Sequence, residues 1–321
     1  MIVVTGGAGF IGSNLLRALA ARGDEPVVLC DRLDTDARWK YLSDLDIEAY
    51  IEPEDLEREI ARHNSVNIVH LGAISSTAEQ NAGRLLRENF EFSKHVTRLA
   101  NSCGGRLIYA SSAATYGDGS QGFDDRDDIE YLNSLAPLNA YGWSKHLFDC
   151  WVARNAMSLV GLEQRVGLKF FNVYGPNEHH KGSMRSMVTQ SLDFLDQGSP
   201  IRLFKSDQPN VADGEQARDF VSVRDCVSVI CWFLDHPSQI GLFNVGTGEA
   251  CTFKQLAEMA IQAVGCGEIE YFQRPEQFDG KYQDITRASI DRLRRSGYAG
   301  AFTNIKDGVE DLVQYRRNGR L

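Results

Sequence analysis

Ile2-Val3-Val4-Thr5-Gly6-Gly7-Ala8-Gly9-Phe10-Ile11-Gly12 follows the first methionine and decides the fold. Its first four residues are apolar and predict a short buried strand, and 13–21 has the apolar spacing of a helix. A strand, a glycine-rich turn and a helix in this order form a dinucleotide-binding motif, in which a pyrophosphate sits at the helix N-terminus. We therefore expect Gly6, Gly9 and Gly12 to contact a cofactor, although an ordinary glycine-rich turn would share their spacing.

Further apolar strands alternate with helical patterns along the chain, which predicts an α/β fold with a doubly wound parallel sheet of the Rossmann type. After 171 the pattern changes, which indicates a smaller α/β lobe. We predict a dinucleotide-binding domain at 1–171 that the chain rejoins at about 217–240. The smaller, substrate-binding lobe then comprises 172–216 and 241–321. The other predicted strands of the sheet are 26–31, 67–71, 105–110 and 165–170.

Composition narrows the class of protein. The chain has 321 residues, 43% of them hydrophobic, and a net charge of -10, with no basic cluster that indicates a nucleic-acid partner. Its seven cysteines are scattered and form no Cys-x-x-Cys pair, which predicts reduced thiols in the cytosol and neither disulfides nor a metal site. No apolar run is long enough for a membrane span.

Asp31 ends the second predicted strand, about 20 residues after the glycine motif. An acid in this position accepts hydrogen bonds from an adenosine ribose and by itself indicates NAD. Arg32 and Arg38 follow it, and arginines there can bind a 2′-phosphate. We predict NADP, with NAD possible if both arginines are solvated loop charges.

Other polar residues follow the predicted strands at the edge where open α/β sheets bind ligands. The loop from Gly72 to Thr77 consists of small residues that fit beneath a dinucleotide. Glu88, with Asn89 beside it, lies where the next helix approaches the nicotinamide. Ser111 and Ser112 lie at the carboxyl end of the predicted strand 105–110, and their hydroxyls are expected to face the cofactor.

Tyr141 and Lys145 are four residues apart in a predicted helix that begins at Asn139. This spacing places both side chains on one face, where the ammonium can lower the phenol pKa and make the tyrosine a plausible acid or base. A surface pair on an amphipathic helix is the alternative. The glycine motif and Ser112 favour the catalytic interpretation.

Several motifs together resemble the extended short-chain dehydrogenase/reductases that act on nucleotide-sugars, over essentially the whole chain. Within that family the chain is similar to the epimerases that invert C6 of an ADP-linked heptose. The segments that carry this likeness are Gly6–Gly12, Ser75–Thr77, Tyr109–Gly117, Tyr141–Lys145, Phe171–Pro176, Lys181–Met184, Arg218–Val221 and Gly280–Gln283. The resemblance implies a cytoplasmic, homo-oligomeric enzyme that binds NADP tightly and an ADP-heptose as substrate, for lipopolysaccharide core synthesis.

The resemblance also implies roles for individual residues. Ser112, Tyr141 and Lys145 match the catalytic triad, and Lys181 matches a second acid/base near the cofactor. The other implied cofactor contacts are Phe10, Ile11, Asp31, Arg32, Arg38, Leu71, Gly72, Ala73, Ile74, Ser75 and Val173. The implied substrate contacts are Asn172, Ser183, Gln190, Phe204, Lys205, Ser206, Asp207, Arg218 and Tyr282.

Three positions depart from the family pattern: Pro53 stands in place of a lysine, Glu88 in place of an asparagine and Gln190 in place of a histidine. The acidic stretch 207–216 is longer than usual and is expected near the ADP moiety.

C6 of the sugar carries no acidic proton, so its inversion requires removal of a hydride, a transient ketone and return of the hydride to the other face. The ketone must turn, so its oxygen needs two proton partners, and we expect these to be Tyr141 and Lys181.

A 4,6-dehydratase is disfavoured because Ala113 and Ala114 stand where such enzymes carry Asp-Glu. A UDP-hexose 4-epimerase fits the triad alone, but 181–183 argues against it. A non-catalytic dinucleotide-binding regulator would not need the intact triad.

Overall fold

A computed structural model describes residues 1–321 except 24, 34, 36, 207–210, 274–284 and 320–321. The strands are β1 (Ile2–Thr5), β2 (Val27–Cys30), β3 (Ala49–Ile51), β4 (Asn67–His70), β5 (Arg106–Ser112), β6 (Gln164–Phe170), β7 (Asn172–Tyr174), β8 (Ile201–Phe204), β9 (Ala217–Arg218), β10 (Phe220–Ser222), β11 (Ile240–Val245), β12 (Cys251–Thr252) and β13 (Ile269–Phe272). The helices are α1 (Phe10–Arg22), α2 (Leu56–Ile60), α3 (Ala82–Leu85), α4 (Phe92–Ser102), α5 (Ile129–Ser134), α6 (Ala140–Arg154), α7 (Met187–Asp196), α8 (Val223–Asp235), α9 (Phe253–Val264), α10 (Asp291–Arg295) and α11 (Ile305–Arg317).

Seven parallel strands form the central sheet in the order β11-β6-β5-β4-β1-β2-β3. This order reverses direction between β1 and β4, which is the switch point of a doubly wound sheet. The predicted fold class is therefore confirmed. The carboxyl ends of β1, β4 and β5 meet at one edge, where open α/β sheets bind ligands.

Helices cover both faces of this sheet. On one face α1 packs against α8, and Leu16 and Phe233 belong to the same buried cluster. On the other face α4 and α6 contribute Val96 and Phe148 to a second cluster. Burial of apolar side chains on both faces explains why the strands are nearly continuous apolar runs.

A third buried cluster lies outside the sheet and joins α7, α9 and α11 to β8. It includes Leu192, Leu256 and Leu312, all buried. The prediction that 241–245 belongs to the smaller lobe is wrong. Ile240–Val245 instead extends the central sheet beside β6, where its apolar side chains are buried.

A π-helical segment, Leu86–Glu91, lies between α3 and α4. A π segment accommodates one extra residue and shifts the side chains that follow around the helix axis. Here it turns Asn89 into the interior, where its side chain is fully buried. Two hydrogen bonds between that amide and the loop after β4 stabilise this orientation of Asn89.

Candidate active site

The turn between β1 and α1 requires glycine at two of its positions. Gly6 has a φ of +68°, and a Cβ built there would lie 2.6 Å from the backbone of Gly72. A Cβ at Gly12 would lie 2.1 Å from the carbonyl oxygen of Gly6. The turn therefore packs directly against the loop after β4 and presents the N-terminus of α1, with Gly9, Phe10 and Ile11 at its first turn.

A network of buried side chains holds the loop 71–75. Gly72 donates its backbone N–H to Thr5 Oγ1 at 3.2 Å, and that hydroxyl lies 2.6 Å from Nδ1 of His70. The Asn89 amide bonds the backbone of Ile74 on both its N–H and its C=O. It also donates to Ser144 Oγ at 3.0 Å. The loop is thus fixed both to the end of β1 and to helix α6.

Charged groups cluster where β2 ends. Asp31 accepts a hydrogen bond from the backbone N–H of Ala8 at 2.9 Å, which connects it to the glycine turn. Its carboxylate also lies 3.2 Å from Nη1 of Arg38. Arg32 forms ion pairs with Glu54 and, at 3.4 Å, with Glu88. The two arginines predicted for a 2′-phosphate therefore both face carboxylates.

Ser112, Tyr141 and Lys145 come from two elements that meet at the carboxyl end of β5. Ser112 ends β5, and its hydroxyl accepts from the N–H of Ala114 at 3.1 Å. Helix α6 carries the other two residues and approaches this turn closely. A Cβ at Gly142 would lie only 2.6 Å from the carbonyl oxygen of Ala114, so glycine permits the contact.

Burial controls the protonation of the two ionisable residues on α6. It raises the pKa of Tyr141, and a side-chain hydrogen bond with Ser112 opposes that rise. Burial lowers the pKa of Lys145 to about 8, with the Asp149 carboxylate opposing the change. The Lys145 Nζ donates to the carbonyl oxygen of Ala110 at 2.9 Å. Burial therefore outweighs the lowering of the phenol pKa that the Tyr141–Lys145 spacing predicts, because desolvation of the phenolate dominates.

Lys181 lies in a 3-10 segment, His179–Met184. Its ammonium lies 5.1 Å from the centre of the Phe10 ring. Burial lowers its pKa, and Glu178 opposes this shift. The loop is anchored to α1, since Asn14 donates to the carbonyl oxygen of Pro176 at 3.0 Å. Lys181 therefore lies beside the first turn of α1, next to the glycine turn.

The residues implied as substrate contacts come from the part of the chain that follows β6. Asn172 is exposed and begins β7, whose next residue, Val173, pairs with Val221 of β10. Gln190 donates to the carbonyl oxygens of Arg185, at 2.6 Å, and Ser183, at 3.4 Å. This amide connects the first turn of α7 to the Lys181 segment.

The remaining implied contacts lie at the end of β8, just after it and on β9, beside the third cluster. The Phe204 ring lies 5.0 Å from that of Phe272, and Lys205 and Ser206 follow at the end of β8. Arg218 is buried, with its guanidinium 5.4 Å from the centre of the Phe253 ring. Asp207 and Tyr282, with much of the long acidic stretch, lie outside the described residues.

Asn89 is the site residue that sequence reasoning did not select. The sequence and the family pattern point to the neighbouring Glu88 as the cofactor contact, whereas the π segment directs Asn89 inward. An asparagine next to the expected position was the available signal. Glu88 instead extends toward Arg32.

Two absences hold for the residues that the structure describes. In that part of the chain, no group of three or more His, Cys, Asp or Glu side chains is arranged to hold a metal ion. Within the same limits, every helix is too short or too polar to cross a membrane.

The chain belongs to the NAD dependent epimerase/dehydratase family, whose profile matches residues 2–246. Among its relatives is an ADP-L-glycero-D-manno-heptose-6-epimerase from Nitratidesulfovibrio vulgaris, 44% identical over 98% of this chain and 97% of that protein. The crystal structure of the Helicobacter pylori ADP-L-glycero-D-manno-heptose-6-epimerase superposes with a TM-score of 0.80 at 26% identity, over 98% and 96% of the two chains. The UDP-glucose 4-epimerase of Thermus thermophilus, solved in complex with NAD, gives 0.77 at 25% identity, over 98% of each chain.

Proposed function

We propose that this protein is an ADP-L-glycero-D-manno-heptose-6-epimerase that converts ADP-D-glycero-D-manno-heptose to its C6 epimer. The observation that carries the proposal is the 44% identity to a relative of that name over nearly the whole of both chains. The grouping of Ser112, Tyr141 and Lys145 at the ligand-binding edge of the sheet supports it.

The glycine turn fits a nicotinamide dinucleotide. Gly6 and Gly12 leave no room for a side chain, so the backbone of the turn can approach a pyrophosphate at the N-terminus of α1. Loop 71–75 would hold the dinucleotide from the other side, with Val173 and Lys181 beyond it. We assign NADP as the cofactor, with Arg32 and Arg38 binding the 2′-phosphate. The pairing of Arg32 with Glu54 is exchangeable, because an ion pair between exposed side chains contributes only about 0–1 kcal/mol.

The bound dinucleotide supplies removal and return of a hydride at C6. In its phenolate form Tyr141 takes the proton of the C6 hydroxyl and becomes a phenol, and Ser112 donates a hydrogen bond to the substrate oxygen as it becomes a carbonyl. Lys145 is cationic below its pKa of about 8 and holds the nicotinamide ribose. Its charge also favours the phenolate when Tyr141 loses its proton.

Inversion requires the ketone to turn so that its other face receives the hydride. The oxygen then points away from Tyr141 and needs a second proton partner. Lys181 fits this role because burial lowers its pKa and brings the ammonium closer to proton exchange at neutral pH. Tyr141 and Lys181 would therefore serve the two orientations of one ketone.

The test is incubation of the purified protein with ADP-D-glycero-D-manno-heptose, followed by NMR of the C6 proton. We expect a mixture of the two epimers without added cofactor, and mass spectrometry should find NADP retained by the protein. A parallel incubation with UDP-glucose tests the alternative of a UDP-hexose 4-epimerase. Turnover of UDP-glucose with an inert ADP-heptose would overturn the proposal.

A substrate deuterated at C6 tests the chemistry itself. If the hydride leaves and returns within one site, the product keeps its deuterium at C6. Loss of the label to solvent would indicate carbanion chemistry and would exclude the oxidation–reduction scheme.

The proposal extends to the setting of the enzyme: a cytoplasmic homo-oligomer that supplies heptose for the lipopolysaccharide core. All seven cysteines are free thiols, which suits a reducing compartment. Light scattering coupled to size exclusion would measure the oligomeric state. A mass equal to the 35.8 kDa chain would contradict the oligomer.

A further inference from the structure

A buried ion pair lies directly behind the candidate catalytic residues. Asp149 on α6 and Lys169 on β6 are 2.7 Å apart, and both side chains are completely buried. Burying two charges costs several kcal/mol per ion, and an apolar pair in their place is often as stable or more so. The stability of the fold therefore does not explain this pair, and its neighbours point to the active site.

Hydrogen bonds connect the pair to Ser112. The Lys169 ammonium donates to Thr115 Oγ1 at 2.6 Å, and that hydroxyl donates to the carbonyl oxygen of Ser112 at 2.8 Å. On the other side of the strand end, Ser111 Oγ donates to Asp149 at 2.7 Å. The pair therefore holds the backbone on both sides of the Ser112 hydroxyl.

The same pair acts on Lys145, which lies one helical turn before Asp149 on the same face of α6. The Asp149 carboxylate raises the pKa of Lys145 against the larger effect of burial. His70 stays neutral near pH 7, because burial lowers its pKa to about 3. Asp149 is thus the carboxylate that favours the cationic form of Lys145. Asp149 and His70 interact electrostatically with Lys145, and Tyr141 lies one turn earlier on α6. Tyr109 and Lys169 contact Asp149.

We propose that Asp149 and Lys169 are positioning residues of the active site: Asp149 keeps Lys145 protonated, and Lys169 fixes the backbone of Ser112 through Thr115. The inference rests on the proposed function in so far as Ser112 and Lys145 serve the reaction. Neither Asp149 nor Lys169 touches the reacting atoms in this arrangement.

Asp149→Asn tests the electrostatic role in the protein with the cofactor it retains. Lysine ¹³C NMR, with the Lys145 signal assigned by its loss in Lys145→Arg, follows the titration without any substrate. We expect the Lys145 pKa to fall by about one unit, because an adjacent opposite charge is removed. The alkaline limb of the turnover profile should move down by the same amount. An unchanged Lys145 titration would overturn this role.

Asp225→Asn is the matched control. Asp225 is also a buried carboxylate, but it accepts hydrogen bonds from the N–H and the hydroxyl of Thr303, away from α6. It should lower stability and leave the Lys145 titration where it is. If Asp149→Asn does not fold, Asp149→Asn with Lys169→Met removes both charges and leaves none unpaired. In that double variant the Lys145 pKa should fall by less than in Asp149→Asn, because removal of the Lys169 ammonium, a like charge, favours the Lys145 cation.

Thr115→Val separates the backbone role from the electrostatic one. It removes the hydroxyl between Lys169 and Ser112 but keeps the shape and both charges. We expect kcat to fall about 3- to 10-fold, with KM and the Lys145 titration unchanged. A wild-type kcat would overturn the backbone role. If the wild-type protein does not act on ADP-heptose, the proposed function fails, whereas the NMR titration still decides whether Asp149 controls Lys145.

Discussion

The side chain of Asn89 bonds both backbone groups of Ile74: its Oδ1 accepts the N–H at 2.8 Å and its Nδ2 donates to the C=O at 2.9 Å. The pairing closes the loop after β4 as a neighbouring strand would. It depends on the π segment, which directs Asn89 inward. The amide also donates to Ser144, so this one side chain connects loop 71–75 to the helix that carries Tyr141.

Asn89→Ala should therefore weaken cofactor retention and lower the free energy of unfolding. The change leaves the N–H and C=O of Ile74 without their side-chain partner, at a cost of about 1–3 kcal/mol for each buried group left unpaired. Urea unfolding and titration with NADP measure the two effects. Asn81→Ala, which removes the exposed N-cap of α3, is the control and should leave NADP binding unchanged. Wild-type NADP affinity in Asn89→Ala would show that the loop holds its shape without this amide.

Tyr141→Phe and Lys181→Ala should each reduce epimerase turnover by about 10²–10⁴-fold, the usual contribution of one positioned acid or base. Both proteins should fold and retain NADP, because the ring of Tyr141 stays in place and Lys181 lies in a loop. Lys306→Ala, on the exposed face of α11, serves as the control.

The double variant, Tyr141→Phe with Lys181→Ala, gives the more decisive test. Each ketone orientation has its own proton partner and epimerisation passes through both, so one blocked half-reaction already limits turnover. The double variant should then be little worse than the poorer single variant. Near-normal turnover by Lys181→Ala would remove Lys181 from the mechanism and leave Tyr141 serving both faces through water.

Cofactor choice should depend on the acids beside Arg32 as well as on the arginines. Replacing Arg32 and Arg38 by alanine should weaken NADP binding by about 1.5–3 kcal/mol for each contact and affect NAD far less. Glu54→Gln removes the carboxylate that competes with a 2′-phosphate for Arg32, so it should shift preference further toward NADP. Calorimetric titration with both cofactors measures the ratio. Equal losses for NADP and NAD in the double alanine variant would show that the arginines do not bind the 2′-phosphate.

His70 should make the protein sensitive to acid. Its folded pKa of about 3 lies below the ordinary value of 6.5, because burial and the Lys145 charge disfavour the imidazolium. The unfolded chain therefore binds this proton first, and stability falls as pH drops from 6.5 toward 3, by at most about 1.4 kcal/mol per pH unit. His70→Asn should show a smaller loss over that window in urea unfolding at stepped pH. An identical slope in both proteins would mean that other groups cause the acid sensitivity.

The sequence by itself determined the strand–glycine turn–helix at the N-terminus, the parallel sheet and the helix that presents Tyr141 and Lys145. These features are encoded locally, in apolar periodicity, glycine positions and a cap such as Asn139, which accepts the N–H of Gly142 as a helix N-cap does. Local spacing also placed Ser112 at a strand end, since β5 ends there.

Only the tertiary structure decided the chemistry of these residues. Burial among distant segments raised the pKa of Tyr141 and lowered that of Lys145, which no spacing along one helix could indicate. Strand β11 joins the central sheet because it pairs with β6 and buries its apolar side chains there. The π segment turned Asn89 inward to meet a loop 15 residues earlier in the chain. Desolvation and long-range pairing depend on which segments meet in three dimensions, and that information is spread over the whole chain rather than held in any motif.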